Sequence, residues 1–390
     1  MWFFDCPEII YGEDALGELE ELGGERAFIV TDPVLHGLGF TDRVADLLKI
    51  AGLEVAHFSE VEPEPSLQTV QKGAEQMRGF KPDWIIGLGG GSAMDAAKAM
   101  WVLYERPDLQ PDEISPMMEL NIGKLAKLIA IPTTAGTGSE ATWATVLTDK
   151  SDGRKLALGS RETMPTMAIV DPALTLDLPA RVTADTGLDA LTHAVEGYLS
   201  TFRNDFSDGI CLKAIQLVFE YLPRVYREPH DEEAREHMAN AATLGGLGFI
   251  NSWASLAHAM GHSFGGFFKI PHGRSVSLCL PYTLEFMAHE PEMTRFRDIA
   301  HALRLPEGDA DERTAAKAVI AAIRELHQQV DQPLTVEAMG IARSDYESKL
   351  ELLCEFAEGD GTFISGVRIP ERDDLERLFL SMYDGQTVDF

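Results

Sequence analysis

The sequence predicts an α/β N-terminal domain, a doubly wound and mostly parallel sheet over residues 1–180, followed by an all-helical domain over residues 181–390. Up to about residue 180, short apolar, β-rich runs alternate with amphipathic helical stretches, as in a parallel sheet with crossover helices. Beyond it the alternation stops and long 3.6-residue patterns take over. No low-complexity linker separates the halves, so they are expected to pack tightly around a cleft. No internal repeat is present.

Strands are expected at 26–31, 54–58, 84–88, 128–131 and 168–170. Most end in Gly, Pro, Asp or Thr, as parallel strands do at their functional edge. Helices are expected at 184–199, 208–226, 231–249, 310–330 and 343–358, with Pro223, Pro271, Pro281 and Pro333 as punctuation between elements. The apolar segment 1–11 is suited to adding as an edge strand to a partner's sheet, which favours a homodimer or higher homo-oligomer.

Composition narrows the function classes. A formal charge of −30 argues against nucleic acid or an anionic membrane as a partner. The plainest reading of that acidity is a well-solvated surface. No run of about 18 apolar residues is present, and the N-terminal residues lack the basic start and apolar core of a signal peptide. Cys6, Cys211, Cys279 and Cys354 are scattered without pairing motifs and read as reduced thiols of a cytoplasmic protein.

The chemistry concentrates in two regions. Asp189 and His193 stand four residues apart in Gly187-Leu188-Asp189-Ala190-Leu191-Thr192-His193, one turn along a helix. His258 and His262 repeat that spacing, and Ile270-Pro271-His272-Gly273 adds a histidine from a turn. Alone, an Asp/His pair at helical spacing is more often a surface pair. Here four of the 11 histidines fall in apolar stretches with little charge around them, and that favours a divalent transition metal such as Fe²⁺ or Zn²⁺.

The second region is Ile85-Ile86-Gly87-Leu88-Gly89-Gly90-Gly91-Ser92, a strand running through glycines into a helix. Such a turn can bring backbone amides and a helix N-terminus to a pyrophosphate, or can be merely tight. A second loop, Pro132-Thr133-Thr134-Ala135-Gly136-Thr137-Gly138-Ser139-Glu140, also follows a strand, and two such loops on one sheet favour a cofactor crevice. Asp32, by pattern alone, is a turn residue before Pro33.

Taken together, these motifs resemble the iron-containing (group III) alcohol dehydrogenase family. The resemblance runs through almost the whole chain. It includes Asp95 and Lys98 after the glycines, Ala194-Val195-Glu196-Gly197-Tyr198 after His193, His258-Ala259-Met260-Gly261-His262, and Pro271-His272-Gly273. The stretches 80–83 and 94–105 look especially like the alcohol dehydrogenase half of bifunctional aldehyde/alcohol dehydrogenases, which would make this a stand-alone alcohol dehydrogenase.

The resemblance implies Asp189, His193, His258 and His272 as ligands of Fe²⁺, with Zn²⁺, Co²⁺ or Mn²⁺ as substitutes. It implies His262 as a catalytic group beside nicotinamide and substrate. It also implies NAD(H) bound by Asp32, Gly89, Gly90, Gly91, Ser92, Asp95, Thr133, Thr134, Thr142 and Lys155. Trp143, Phe249 and Trp253 fall at substrate-side positions and suggest a narrow apolar pocket, although plain core packing explains large aromatics equally well. The expected reaction is hydride transfer between short primary alcohols or diols and their aldehydes. The segment 359–370 departs from the family's Asn-Pro-Arg pattern. A zinc glycerol dehydrogenase-like or dehydroquinate synthase-like enzyme is the alternative on the same scaffold. A dinucleotide-binding structural or sensing protein is the non-enzymatic one.

Overall fold

The computed structural model describes residues 3–150, 154–290 and 292–390. The chain forms two compact units, 1–177 and 178–390.

In the first unit, β1 (Glu8–Tyr11), β2 (Arg26–Val30), β3 (Glu54–Phe58), β4 (Trp84–Gly89), β5 (Lys127–Pro132) and β8 (Met167–Val170) form one sheet in the order β1-β8-β5-β4-β2-β3. All of its pairings are parallel. β6 (Ala144–Asp149) and β7 (Arg154–Gly159) form a separate antiparallel hairpin. The crossovers use α1 (Pro33–Gly37), α2 (Phe40–Ile50), α3 (Leu67–Phe80) and α4 (Gly91–Glu105).

Because a strand's side chains alternate in direction, β2 feeds two cores. Phe28 and Val30 pack with Met77 and Met100 on one face, while Ala27 and Ile29 pack with Val44 and Leu48 on the other. Each such fully buried large side chain contributes about 1.5–3 kcal/mol. This double burial explains why the strands read as continuous apolar runs.

The connection from β2 leads to one side of the sheet and the connection from β4 leads to the other. The ends of these neighbouring strands therefore mark a switch point, where the crevice of a doubly wound sheet opens. Asp32 lies just past β2 and the glycine run begins at the last residue of β4, so both chemical loops leave from that point.

The second unit contains α5 (Ala180–Leu199), α6 (Asp205–Arg227), α7 (Glu232–Ile250), α8 (Leu256–Phe268), α9 (His272–Met287), α10 (Phe296–Ala302), α11 (Glu312–Gln329), α12 (Arg343–Glu347), α13 (Leu350–Glu358) and α14 (Arg372–Asp384). Among the described residues, none of the helices is long and apolar enough to cross a membrane.

Glu8–Tyr11 pairs with β8 as the edge strand of the chain's own sheet, while Met1 and Trp2 lie outside the described residues. Other expectations are corrected. Pro281 lies inside α9 rather than at a boundary, and Pro223 lies inside α6, within the helix expected over 208–226. Each removes one backbone N–H from its helix, and both rings are buried. His272 is the first residue of α9, with Pro271 at its N-cap, rather than part of a turn. The helix expected over 343–358 is broken between α12 and α13, where Lys349 has φ −108° and ψ 0°.

Candidate metal centre and cofactor loops

Asp189, His193, His258 and His272 each offer one ligand atom, and these atoms all lie within 4.8 Å of one another. Asp189 and His193 project from one face of α5, His258 from the first turn of α8, and His272 from the start of α9. Two glycines permit this convergence. A Cβ on Gly273 would sit 2.2 Å from the Asp185 carbonyl oxygen and 3.0 Å from Asp189 Cβ, so only glycine lets α9 begin against α5. A Cβ on Gly261 would sit 2.6 Å from Val276 Cγ1, which draws α8 onto α9.

The donors suit a divalent ion. Asp189 Oδ1 and His258 Nε2 are buried and have no hydrogen-bond partner among the described residues, a costly state for polar atoms unless an ion meets them. His272 Nε2 lies 3.4 Å from Asp189 Oδ1, and His193 Nε2 lies 4.0 Å from it. Ligands each about 2.1 Å from one ion stand at most about 4.2 Å apart, so the set closes on a metal with small adjustments. One carboxylate and three imidazoles suit borderline ions such as Fe²⁺ or Zn²⁺. Burial, reinforced by the Asp185 charge, pushes the Asp189 carboxyl well above the usual carboxylate range. Burial also depresses His258 to about 3, so its imidazole stays neutral and able to ligate.

Two carboxylates that sequence reasoning missed hold the histidines. Glu196, one turn beyond His193 on α5, accepts the Ser255 and Ala257 backbone N–H groups at 3.0 and 2.6 Å, capping α8 from outside. The same carboxylate meets His258 Nδ1 at 2.5 Å, which fixes the proton on Nδ1 and leaves Nε2 bare for a metal. Burial raises Glu196 to about 7 against the opposing effect of these bonds.

Asp360 sits in the atypical C-terminal segment. Its Oδ2 meets His262 Nδ1 at 2.7 Å, while Oδ1 accepts from the backbone N–H and hydroxyl of Thr362. Burial alone would raise Asp360. The His262 charge and these hydrogen bonds outweigh it and hold the group below the usual carboxylate range. The buried carboxylate of Glu196 in an apolar helix was a usable signal, since such a group needs partners. Nothing local in sequence marks Asp360.

His262 itself stacks on His272 with ring centroids 5.2 Å apart, and Asp360 anchors its outward nitrogen. Phe249 stacks on His193 at 4.3 Å, so this aromatic lies directly against the cluster. Trp253 takes a left-handed conformation, φ 71°, and packs its ring 5.8 Å from Phe202. Left-handed backbone is strained for a bulky residue, and such strain collects at ligand sites. Trp143 belongs to the first unit, where its carbonyl accepts from the Thr163 hydroxyl.

In the first unit the two loops touch. A Cβ on Gly91 would lie 3.1 Å from Thr137 Cγ2, and one on Gly90 would lie 3.5 Å from the Thr134 side chain. Gly90 is the N-cap of α4, so the helix begins inside the glycine run, and the Thr133 N–H donates to the Gly89 carbonyl. Asp32 caps α1, with Oδ1 accepting from Val34 and Leu35 N–H, while Oδ2 lies 3.6 Å from where a Gly89 Cβ would be. It is therefore both a turn residue and a neighbour of the glycine loop.

Other predicted residues are engaged by the protein. Asp95 accepts from the Ser139 hydroxyl and Val146 N–H. Buried Lys98 donates to Ser139, Thr142 and the Ala144 carbonyl. Lys155 forms a 2.7 Å ion pair with Glu64, whose own N–H donates to Ser92 Oγ.

Comparison with known proteins agrees with this geometry. Residues 6–172 match the family described as Iron-containing alcohol dehydrogenase, and 183–383 match Fe-containing alcohol dehydrogenase family, C-terminal. The chain is 38% identical over 393 residues to an NADPH-dependent butanol dehydrogenase of Clostridium saccharobutylicum, covering 100% of both proteins. It is also 38% identical to the bifunctional aldehyde-alcohol dehydrogenase AdhE of Escherichia coli (strain K12), over 95% of this chain but only 44% of that protein. The chain thus spans less than half the length of such bifunctional relatives. A crystal structure of 1,3-propanediol oxidoreductase superposes with a TM-score of 0.90 at 32% identity, covering 98% of this chain and 100% of that one.

Proposed function

The chain belongs to the iron-containing alcohol dehydrogenase family, and from that premise we propose that it interconverts short primary alcohols or diols with their aldehydes, using NAD(H) and a divalent metal. The observation that carries this reading is the buried Asp189 Oδ1 and His258 Nε2, left without hydrogen-bond partners inside a four-donor cluster. We assign Asp189, His193, His258 and His272 as the metal ligands, with Fe²⁺ first and Zn²⁺, Co²⁺ or Mn²⁺ as substitutes. A bound ion there supplies Lewis acidity that favours ionisation of an alcohol hydroxyl near neutral pH.

The chain's own groups do the rest. Glu196 holds His258 in the ligating tautomer. His262, anchored by Asp360 through Nδ1, has Nε2 free to take and return the alcohol proton, so it serves as the acid–base group rather than as a fifth ligand. Phe249 supplies an apolar wall beside His193, with Trp253 and Trp143 as further candidates for the substrate wall.

For the cofactor, the amides at the start of α4 and the glycines before it are suited to a pyrophosphate. We assign Asp32, whose Oδ2 neighbours Gly89, to accept from a ribose 2′-hydroxyl and to repel a 2′-phosphate, which favours NAD(H) even though the butanol dehydrogenase relative is named for NADPH. We assign Thr133, Thr134, Thr142 and Lys155 to the same cofactor region, with Asp95 bracing Ser139. We further propose a homo-oligomer, in which the open edge of β1 is the first candidate contact, and a cytoplasmic location.

The test is a steady-state assay of the Fe²⁺-loaded protein across 1-propanol, 1-butanol, 1,3-propanediol and glycerol with both cofactors. Turnover of linear alcohols with NAD supports the assignment. Turnover confined to glycerol moves the protein to the glycerol dehydrogenase alternative.

A further inference from the structure

We propose that Asp185 and Arg274 form a positioning pair for His272, and that this pair sets how tightly the four-donor cluster holds its metal. The proposal rests on Asp189, His193, His258 and His272 being the ligands.

The four donors are not held equally. The side chains of Asp189, His193 and His258 are only 1%, 5% and 4% exposed, whereas that of His272 is 32% exposed. Glu196 orients His258, and Phe249 stacks on His193. Burial does least for His272, which is the first residue of α9 and has no preceding helical turn to brace it. Its place is set by the residues that follow it.

Both of those residues register on Asp185. The Gly273 backbone comes so close that a Cβ there would sit 2.2 Å from the Asp185 carbonyl oxygen. Next along α9, Arg274 donates Nε to Asp185 Oδ1 at 2.9 Å, with the two side chains 14% and 10% exposed. Gln332, beyond α11, donates Nε2 to the same oxygen at 2.6 Å and fixes the carboxylate from a third element. Asp185 precedes Asp189 by one turn on the same face of α5. One carboxylate thus ties the start of α9 to the stretch of α5 that carries Asp189, and His272 Nε2 comes to stand 3.4 Å from Asp189 Oδ1. Separating so buried a pair would strand a charge out of water, so the pair resists being pulled apart.

Positioning and simple charge make opposite forecasts for Arg274. As a bare positive charge near a bound cation it repels the ion, and its removal would tighten binding. As the arm that places His272, its removal loosens binding. Arg181 supplies the control, being exposed, one turn before Asp185 on α5, and without a hydrogen bond to it.

The experiment measures Co²⁺ affinity of the full chain by competition with a chelator of known affinity, together with the visible spectrum of the bound ion, which reports ligand geometry. Arg274→Met keeps the unbranched stem and should weaken Co²⁺ binding about 10–100-fold with an altered spectrum, the range for groups that orient a ligand. Arg274→Lys restores a charged donor and should recover most of the loss. Because Arg274→Met strands the Asp185 charge, the double variant Asp185→Asn/Arg274→Met is measured beside it. That variant removes one charge of each sign, so the field at the metal nearly cancels, and it should still weaken binding. Arg181→Gln should not weaken it. Unchanged or tighter Co²⁺ binding in Arg274→Met or in the double variant, no recovery with Arg274→Lys, or an equal loss in Arg181→Gln would each overturn the pair and leave the metal assignment standing. No saturable Co²⁺ binding by the unaltered chain would overturn both.

Discussion

Glu196 and His258 meet through a 2.5 Å contact between two side chains that are both buried, and the same carboxylate caps the helix that carries His258. Replacing Glu196 with Gln would place an amide N–H or a weaker acceptor against Nδ1 and release the tautomer. Metal affinity is expected to fall about 10–100-fold, as for other carboxylates that orient a ligating histidine. Metal content after dialysis against graded chelator reads this directly. Wild-type retention in Glu196→Gln would remove the orienting role.

Chelation should abolish turnover, and Fe²⁺ should restore it. His258→Ala and His272→Ala should lose metal and activity together. Since the ion binds the folded form, saturating it about 100-fold above Kd adds about 2.7 kcal/mol of stability, visible as a rise in Tm that either alanine variant lacks. Full activity in protein shown to be metal-free would end this assignment.

Metal uptake should also release protons. Asp189 and Glu196 have folded-state pKa values raised above their unfolded ones, so the metal-free fold retains protons that the unfolded chain gives up. For Glu196 that contribution to stability is complete below about 4.5 and is lost as pH rises through about 7. A bound cation needs the deprotonated Asp189, so binding should expel protons at pH values below its raised folded-state pKa and tighten as pH rises. Calorimetric titration in buffers of different ionisation enthalpy measures the number released. A value of zero would contradict the buried, protonated carboxylates.

His262→Ala should keep its metal but lose about 10²–10⁴ in kcat, with an altered pH–rate profile. Asp360→Asn should shift the same profile while sparing metal content, because Asp360 touches only the second nitrogen of His262. If His262→Ala failed to hold metal, the histidine would be a ligand instead.

Asp32→Gly should narrow or reverse the preference for NAD over NADP in kcat/KM. It should lower stability by only about a few tenths of a kcal/mol, because Asp32 caps α1 and glycine is nearly as good a cap. Equal efficiency with both cofactors in the unaltered enzyme would refute the discriminating role.

Much of the site was legible because its members come in local pairs. Asp189 with His193, and His258 with His262, announce themselves through four-residue spacing in apolar helices, and the glycines after β4 through a strand–turn–helix pattern. The parallel sheet was legible because strands buried on both faces must be apolar throughout. Other features depend on contacts between distant segments. Asp360 acquires its role only where the chain returns to α8, 98 residues after His262. Glu196 is an unremarked helix residue until the start of α8 docks on it. β1 looked like an arm for a partner because its own partner, β8, lies more than 150 residues away in sequence. Pro271 reads as a turn signal in sequence because proline at a helix start and proline in a loop look alike until the helix after it is seen.

Gly261 and Gly273 also set where this enzyme can change. Any side chain at either position collides with backbone or with a packed neighbour, and the collision would pull a metal donor out of register. Laboratory diversification aimed at new alcohols will find those two codons closed, although they sit beside the most reactive residues of the chain. Phe249 and Trp253 are the open ones. Trp253→Gly would even relieve a strained backbone while removing a large ring. Selection for broader substrate range should therefore accumulate variants at the end of α7 and on the α7–α8 connection, and leave the α8–α9 contact untouched.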